Sequence, residues 1–148
     1  MNIRNIFKFI LYLLPWFLST IIFGIDTNYY KTLNLPPFAP PPIIFAIIWP
    51  ILYLLITYTI YKILPQSNDK YKKYLIINYI SNQLYTFFFF TLKSTSLALI
   101  DTIIVLISSI YLYKETNNLD KKTSKYLIPY ILWNIFATIL STGITIMN

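Results

Sequence analysis

The chain has 148 residues, of which 57% are apolar and 11% charged, with a formal net charge of +7. The charges are bunched between long neutral runs, which excludes an ordinary soluble domain and marks a polytopic membrane protein. Cysteine and histidine are both absent, which removes disulfides, thiolate nucleophiles, zinc sites and histidine-ligated haem.

A hydrocarbon core takes about 20 predominantly apolar residues to cross, with a range of roughly 17 to 25. Five windows meet that length, over about residues 6–25, 43–63, 74–92, 94–113 and 126–147. The expected fold is therefore all-α: a single integral membrane domain, a five-transmembrane-helix bundle over 1–148. Arg4 and Lys8 precede the first apolar run as they would in a secretory signal, but no small-residue cleavage site follows, so the segment reads as a retained helix. Pro15 inside it predicts a kink.

The loop at 26–42 holds five of the nine prolines, all between Pro36 and Pro42. Each ring removes a backbone donor and pushes its predecessor out of the α region. The stretch from Tyr29 to Pro42 is thus expected to be a stiff, extended strap that sets the angle at which the chain enters the second span. There Phe45, Trp49 and Tyr53 recur at i, i+4, i+8 and share one side, with Leu52 beside them.

The third span carries Asn78, Ser81, Asn82 and Gln83 ahead of Tyr85 and Phe87-Phe88-Phe89-Phe90. Amides in hydrocarbon bond across helices, where each bond contributes roughly 0.6 to 2 kcal/mol; lining a cavity is the alternative role. Asp101 is the one carboxylate within a span. A charge at such depth costs on the order of 2.5 to 3.5 kcal/mol on the insertion scale, so it faces the bundle interior, pairs with a donor or is protonated, serving as a structural hydrogen bond to a neighbouring helix or as a ligand contact. In the fifth span Tyr130, Trp133, Phe136, Ala137, Leu140 and Ser141 form one stripe, which either fills the bundle or faces the second span across a pocket.

Ten basic residues fall on one side of a five-span topology: Arg4, Lys8, Lys62, Lys70, Lys72, Lys73, Lys114, Lys121, Lys122 and Lys125. Only Lys31 and Lys93 fall on the other. The positive-inside rule then places the N-terminus in the cytoplasm and the strap and C-terminus outside. The same distribution argues against nucleic acid as a partner, because the basic residues flank the bilayer and form no single groove-sized face. The connections are too short for a soluble catalytic domain, and five spans do not divide into the inverted repeats of many secondary transporters.

Together these residues resemble the translocator protein family, also called the tryptophan-rich sensory protein (TspO) or peripheral benzodiazepine receptor family. The likeness rests on Leu33, Pro36, Phe38, Pro40 and Pro41 in the strap, then Trp49 and Leu52-Tyr53. It continues at Asn82, Tyr85 and Phe89-Phe90, at Ala98-Leu99-Ile100-Asp101, and at Pro129-Tyr130, Trp133, Phe136-Ala137 and Leu140. There are departures: Gln83 and Leu97 stand where the family has tryptophan, Ser141 replaces an asparagine, and Pro50 follows Trp49, whereas the family's proline comes two residues before it.

The resemblance implies a homodimer in a lipid bilayer with a pocket under the first loop, taking protoporphyrin IX, haem or another flat lipophilic small molecule. Its implied ligand-binding residues are Phe45, Trp49, Tyr53, Asn82, Tyr85, Phe89, Leu97, Asp101, Trp133, Ala137 and Leu140. Leu33, Pro36, Phe38, Pro40 and Pro41 form the loop rim, and Lys31 is a candidate partner for a porphyrin propionate. No metal site and no cofactor is expected. The implied function is a membrane receptor or sensor for tetrapyrroles. The alternatives are a light- and oxygen-dependent porphyrin-degrading enzyme, with Trp49 and Trp133 as catalytic residues, and a porphyrin or lipid transporter. Cholesterol transport is the family trait with least support, since the sterol-recognition segment of animal members has no counterpart. A bacterial inner membrane is the expected location, with the mitochondrial outer membrane as the alternative.

Overall fold

A computed structural model of the chain describes residues 2–148. The first pass, α1 (Ile3–Phe23), is broken in its middle, where Leu14–Phe17 tighten into a 3₁₀ turn around Pro15. Proline lacks the donor and crowds the preceding turn, so the α-helical ladder cannot run through. The groups freed at the break are met from a neighbouring helix. Ser19 N–H donates to Gln83 Oε1 (2.8 Å), Gln83 Nε2 donates to the Trp16 carbonyl (3.4 Å), and Tyr79 Oη donates to the Pro15 carbonyl (3.0 Å).

Gly24, at φ 70, ends α1. A short helix, α2 (Thr27–Thr32), follows, with Asp26 as its N-cap accepting from Tyr29 N–H at 2.9 Å. The expected extended strap therefore begins only at Leu33. The Asp26 cap outweighs the neighbouring prolines, which act on their own residues and immediate predecessors and leave 27–32 free to coil. From Leu33 the chain is non-helical to Pro41, with one turn closed by Ala39 N–H on the Pro36 carbonyl (2.9 Å).

The second pass, α3 (Pro42–Gln66), starts with proline in its first turn, where a missing donor costs nothing. Pro50 lies inside the helix, and α-helix continues through it to Ile63. The third pass, α4 (Asp69–Thr86), is capped by Asn68 and runs on into a π-helical turn over Phe87–Thr91. A three-residue turn at Leu92–Ser94, with Lys93 at φ 52, leads to α5 (Thr95–Leu119). The last pass is α6 (Lys121–Met147), capped by Asp120.

Among the described residues no strand forms, and α1, α3, α5 and α6 are each long and apolar enough to cross a membrane. The pass through α4 is less apolar because Lys70, Lys72 and Lys73 open it and amides occupy its middle. Those amides have a structural use. Asn78 Nδ2 donates to the Val105 carbonyl (3.1 Å) and to Ser108 Oγ (2.9 Å), tying α4 to α5. Tyr130 Oη of α6 donates to Asn78 Oδ1 (3.0 Å) and accepts from Asn82 Nδ2 (3.2 Å). Tyr53 Oη of α3 completes the chain by donating to Asn82 Oδ1 (3.2 Å). One buried network thus joins four passes, as expected of polar groups with no water to turn to.

The bundle is unevenly filled. On the side of the basic loops, Ile56, Ile63, Tyr71, Leu112, Leu127 and Tyr130 are all but completely enclosed. On the side of the strap, a second and smaller cluster gathers Tyr30, Phe89, Ala98, Leu140 and Ile144. Between the two lies a hollow.

Candidate functional site

The hollow has a volume of about 440 Å³, within the range of roughly 300 to 1,000 Å³ typical of small-molecule sites. Its wall is built mainly from rings. α3 contributes Phe45, Trp49 and Tyr53, α4 contributes Tyr85, and the π-helical turn after it contributes Phe89 and Phe90. Helical spacing explains both sets: i, i+4, i+8 on α3, and i, i+4 with the π turn on α4, bring the rings to one side of each helix. Tyr85 and Phe89 stack almost parallel, 5.5 Å apart at 9°, and Trp49 tilts against Tyr53 at 5.5 Å. Such pairs prefer offset-stacked or edge contacts, which hold the rings in place on the wall. Small Ala46 and Ala137 leave the space that larger side chains would take.

The break in α1 opens the hollow. The half of α1 before Pro15 packs on α3, and the half after it packs on α4. Phe17 still meets Tyr53 edge to face at 5.3 Å. Beyond that contact the two segments part, with Thr20 and Ile25 on one side and Phe45 and Ala46 on the other. Ile25 and Ala46 are exposed, so the gap leads out between α1 and α3. Pro50 also lines the hollow; lacking an N–H, it leaves the Ala46 carbonyl without its usual i+4 donor.

The strap forms a roof and not a rim. Leu33, Pro36, Phe38, Pro40 and Pro41 all lie off the wall, which α2 supplies through Thr27 and Tyr30, together with Pro42. Tyr30 Oη donates to the Pro40 carbonyl (3.1 Å), fixing α2 to the strap. Pro36 is buried on Gly143, and Phe38 lies edge to face with Phe136 at 6.4 Å. At the strap's edge Asn34 and Asn148 exchange hydrogen bonds: Asn34 N–H donates to Asn148 Oδ1, and Asn148 Nδ2 donates to the Asn34 carbonyl, both at 3.0 Å. Lys31 is exposed on α2.

Opposite, Lys93 reaches back to the start of α2. Its Nζ lies 3.6 Å from Asp26 Oδ2 and over the Tyr29 ring, while Tyr29 Oη donates to the Lys93 carbonyl (3.1 Å). The backbone N–H of Tyr29 holds the Asp26 carboxyl below its ordinary value of 3.8, with the Lys93 charge adding to the effect.

Of the residues expected at the ligand, Phe45, Trp49, Tyr53, Asn82, Tyr85, Phe89 and Ala137 meet on the wall. Four others stand elsewhere. Trp133 is behind the wall, edge to face with Trp49 at 6.4 Å and with Phe45 at 5.9 Å, and it lines a separate outer groove with Ile48, Leu52 and Pro129. The large ring at that position buttresses Trp49 where the stripe alone had placed both indoles on one slot. Leu97 is 40% exposed, because the Ser94 cap starts α5 with that residue on an outward face. Leu140 is buried in the cluster beneath the strap. Asp101 is buried one residue from wall-lining Thr102, and its Oδ2 has no hydrogen-bond partner.

Several wall residues were not anticipated: Phe17, Thr20, Tyr30, Thr86, Thr102, Val105 and Asn134. Asn134 carried a readable signal. It is the one amide within the last apolar span, i+4 from Tyr130 and i−3 from Ala137, on the inner stripe. The α1 contributions had none, since they depend on how the Pro15 break swings the second half of that pass.

Comparison with known proteins agrees with this architecture. Residues 11–147 match the TspO/MBR family. The chain is 35% identical over 136 residues to the tryptophan-rich protein TspO of Bacillus cereus, covering 90% of this chain and 89% of that one. It is 34% identical over 131 residues to an uncharacterized membrane protein of Bacillus subtilis, YtaB, covering 86% and 84%. With the tryptophan-rich protein TspO of Archaeoglobus fulgidus it shares 29% over 128 residues, covering 82% and 80%. The chain is an integral membrane protein and belongs to the TspO/MBR family.

Proposed function

We propose that the protein is a membrane receptor or sensor that holds tetrapyrroles, such as protoporphyrin IX or haem, and related flat hydrophobic molecules in the hollow beneath the strap. The observation that carries this reading is the wall itself. Trp49, Tyr53, Tyr85 and Phe89 line one open space, and no Lys, Arg, Asp or Glu lies on it. A planar guest gains stacking on both faces and loses little hydration of its own. The hollow is in the lower part of the usual size range, so a macrocycle enters edge first and leaves its charged propionates at the mouth.

The positive-inside distribution supports an inner-membrane protein of a bacterium, with the roofed side outward and the N-terminus in the cytoplasm. A homodimer is part of the same reading, on the family resemblance. The test is titration of the detergent-solubilised protein with protoporphyrin IX, read by quenching of tryptophan fluorescence. Saturable quenching that weakens at least tenfold in Trp49→Ala is the expected result. Quenching that is linear and equal in both proteins discards the site.

A second reading, light- and oxygen-dependent breakdown of protoporphyrin, is favoured by one feature: the indole on the wall touches a second indole behind it. Illumination of the complex in air should then bleach the porphyrin faster with wild type than with Trp49→Phe. Equal bleaching removes this reading and leaves the receptor intact.

A further inference from the structure

The outer face of the bundle has a second concave surface, at the seam between α3 and α6. It is a groove of about 390 Å³ lined by Ile48, Ile51, Leu52, Pro129, Leu132 and Trp133. All six are apolar, and Ile51 and Leu132 stand well out of the bundle, 50% and 61% exposed. On a soluble protein such a face would call for a protein partner. In a bilayer it meets hydrocarbon, and its concavity fits an acyl chain.

The same seam ends in positive charge. Helical spacing carries this face of α3 from Ile48 and Ile51 through Leu55 and Tyr58 to Lys62. There α3 packs on the first turns of α6, and Tyr58 lies edge to face with Tyr126 at 4.8 Å. Lys62 Nζ lies over the Tyr58 ring, 5.9 Å from its centre, and Lys125 directly precedes Tyr126. The tyrosine pair thus brings two exposed lysines to the two sides of one seam, and tyrosines are at home at the level of lipid headgroups.

Neither lysine forms an ion pair among the described residues. The acids at this end of the bundle are engaged elsewhere. Asp120 accepts from the N–H groups of Lys122 and Thr123 as the cap of α6, Glu115 accepts from Asn68 at the head of α4, and Asp69 pairs with Lys72. Lys62 and Lys125 therefore lack a counter-ion from the chain, and the charge that complements them is an anion at the membrane surface.

The spacing of the two features matches one molecule. Leu52 is ten residues from Lys62, about 15 Å along a helix axis, which is half of a hydrocarbon core of about 30 Å. A lipid whose headgroup sits at Lys62 has its chain end at the depth of the groove. We propose that the α3–α6 seam binds one anionic phospholipid from the leaflet on the side of the basic loops, with its phosphate between Lys62 and Lys125 and one acyl chain in the groove. Basic pockets between membrane helices hold anionic headgroups in this way. The site is on the outside of the bundle, so it does not depend on what the hollow holds.

The experiment titrates the delipidated full-length protein in a neutral detergent with phosphatidylglycerol or phosphatidylcholine of identical chains, and native mass spectrometry counts the bound lipids. Wild type is expected to take one phosphatidylglycerol saturably, with a preference over phosphatidylcholine of about tenfold to thirtyfold, the yield of two lysines at a charged headgroup. In Lys62→Gln/Lys125→Gln the preference should fall below about threefold. The control is Lys70→Gln/Lys73→Gln on α4, which packs on α5 and the second half of α1; it should keep the preference. Ile51→Trp fills the groove from its lipid-facing side and should weaken both lipids alike while their ratio stays. Equal binding of the two lipids to wild type, or adducts that accumulate without saturation, overturns the proposal. So does a loss of preference as large in the α4 control, which would mean that only overall surface charge is at work. Unchanged affinities in Ile51→Trp would remove the acyl chain from the groove and with it the site as drawn.

Discussion

A Cβ added to Gly143 would stand 2.6 Å from Cγ of Pro36, closer than such atoms approach in proteins. Pro36 belongs to a run of rings that cannot rotate out of the way, so the last helix and the strap fit only because residue 143 has no side chain. Gly143→Ala should lift the roof. The expected cost is about 1–3 kcal/mol, the usual range for overpacking. A cysteine placed at position 39 should also become more reactive to a membrane-impermeant thiol reagent. Unchanged Tm and unchanged labelling would show that the strap is not seated on α6.

Gln83 stands where the family resemblance called for tryptophan, and the fold explains what an amide does there. It meets both a donor, Ser19 N–H, and an acceptor, the Trp16 carbonyl, at the Pro15 break. Gln83→Leu leaves both groups unpaired in an apolar surrounding, which costs about 1–3 kcal/mol. Hydrogen exchange at Ser19 should rise in this variant while the α5–α6 seam keeps its protection. If protection at Ser19 is unaltered, some other group holds the break.

Tyr130 is the hub of the four-helix network. Tyr130→Phe keeps the ring and removes the hydroxyl that donates to Asn78 and accepts from Asn82. Interhelical bonds in membranes contribute roughly 0.6 to 2 kcal/mol, so a loss near the upper figure is expected. Reversible unfolding in mixed micelles measures it, and no detectable loss would demote the network to coincidence.

The two indoles have separate duties, which predicts an asymmetry. Trp49→Ala deletes part of the wall, whereas Trp133→Phe keeps a ring behind it. Porphyrin affinity should fall at least tenfold in the first and less than threefold in the second. Equal losses would place Trp133 on the guest.

The Asp26 cap gives a pH dependence of definite sign. Its carboxyl titrates below 3.8 in the folded chain, so the cap is fully effective above about pH 5 and is lost as pH falls through the lowered folded value. It follows that α2 and its contacts with Lys93 are insensitive to pH across the neutral range and loosen only in strong acid. Asp26→Asn, which keeps an acceptor, should preserve α2 while removing the salt sensitivity that Lys93 confers. A roof that opens between pH 8 and 6 would require a different titrating group.

How much of this could be read from the residues follows the physics of each signal. The five passes were readable because apolar run length answers to bilayer thickness alone. The α3 ring ladder was readable because one straight helix keeps its own register. The α6 stripe put Trp133 on the slot because spacing gives a face but not its depth. Phe17 and Thr20 could not be found at all: their position depends on a bend whose direction is chosen by Tyr79 and Gln83 on another helix. The strap was readable from Leu33 onward; before it, a single carboxylate cap decided that 27–32 would coil.

The unequal filling of the two halves of the bundle makes the hollow a cul-de-sac. Below Asn82, Ile56, Ile63, Leu112 and Leu127 are sealed together like a cork, so a visitor has to back out by the door it used. Such a shape suits occupancy and dwell time better than throughput.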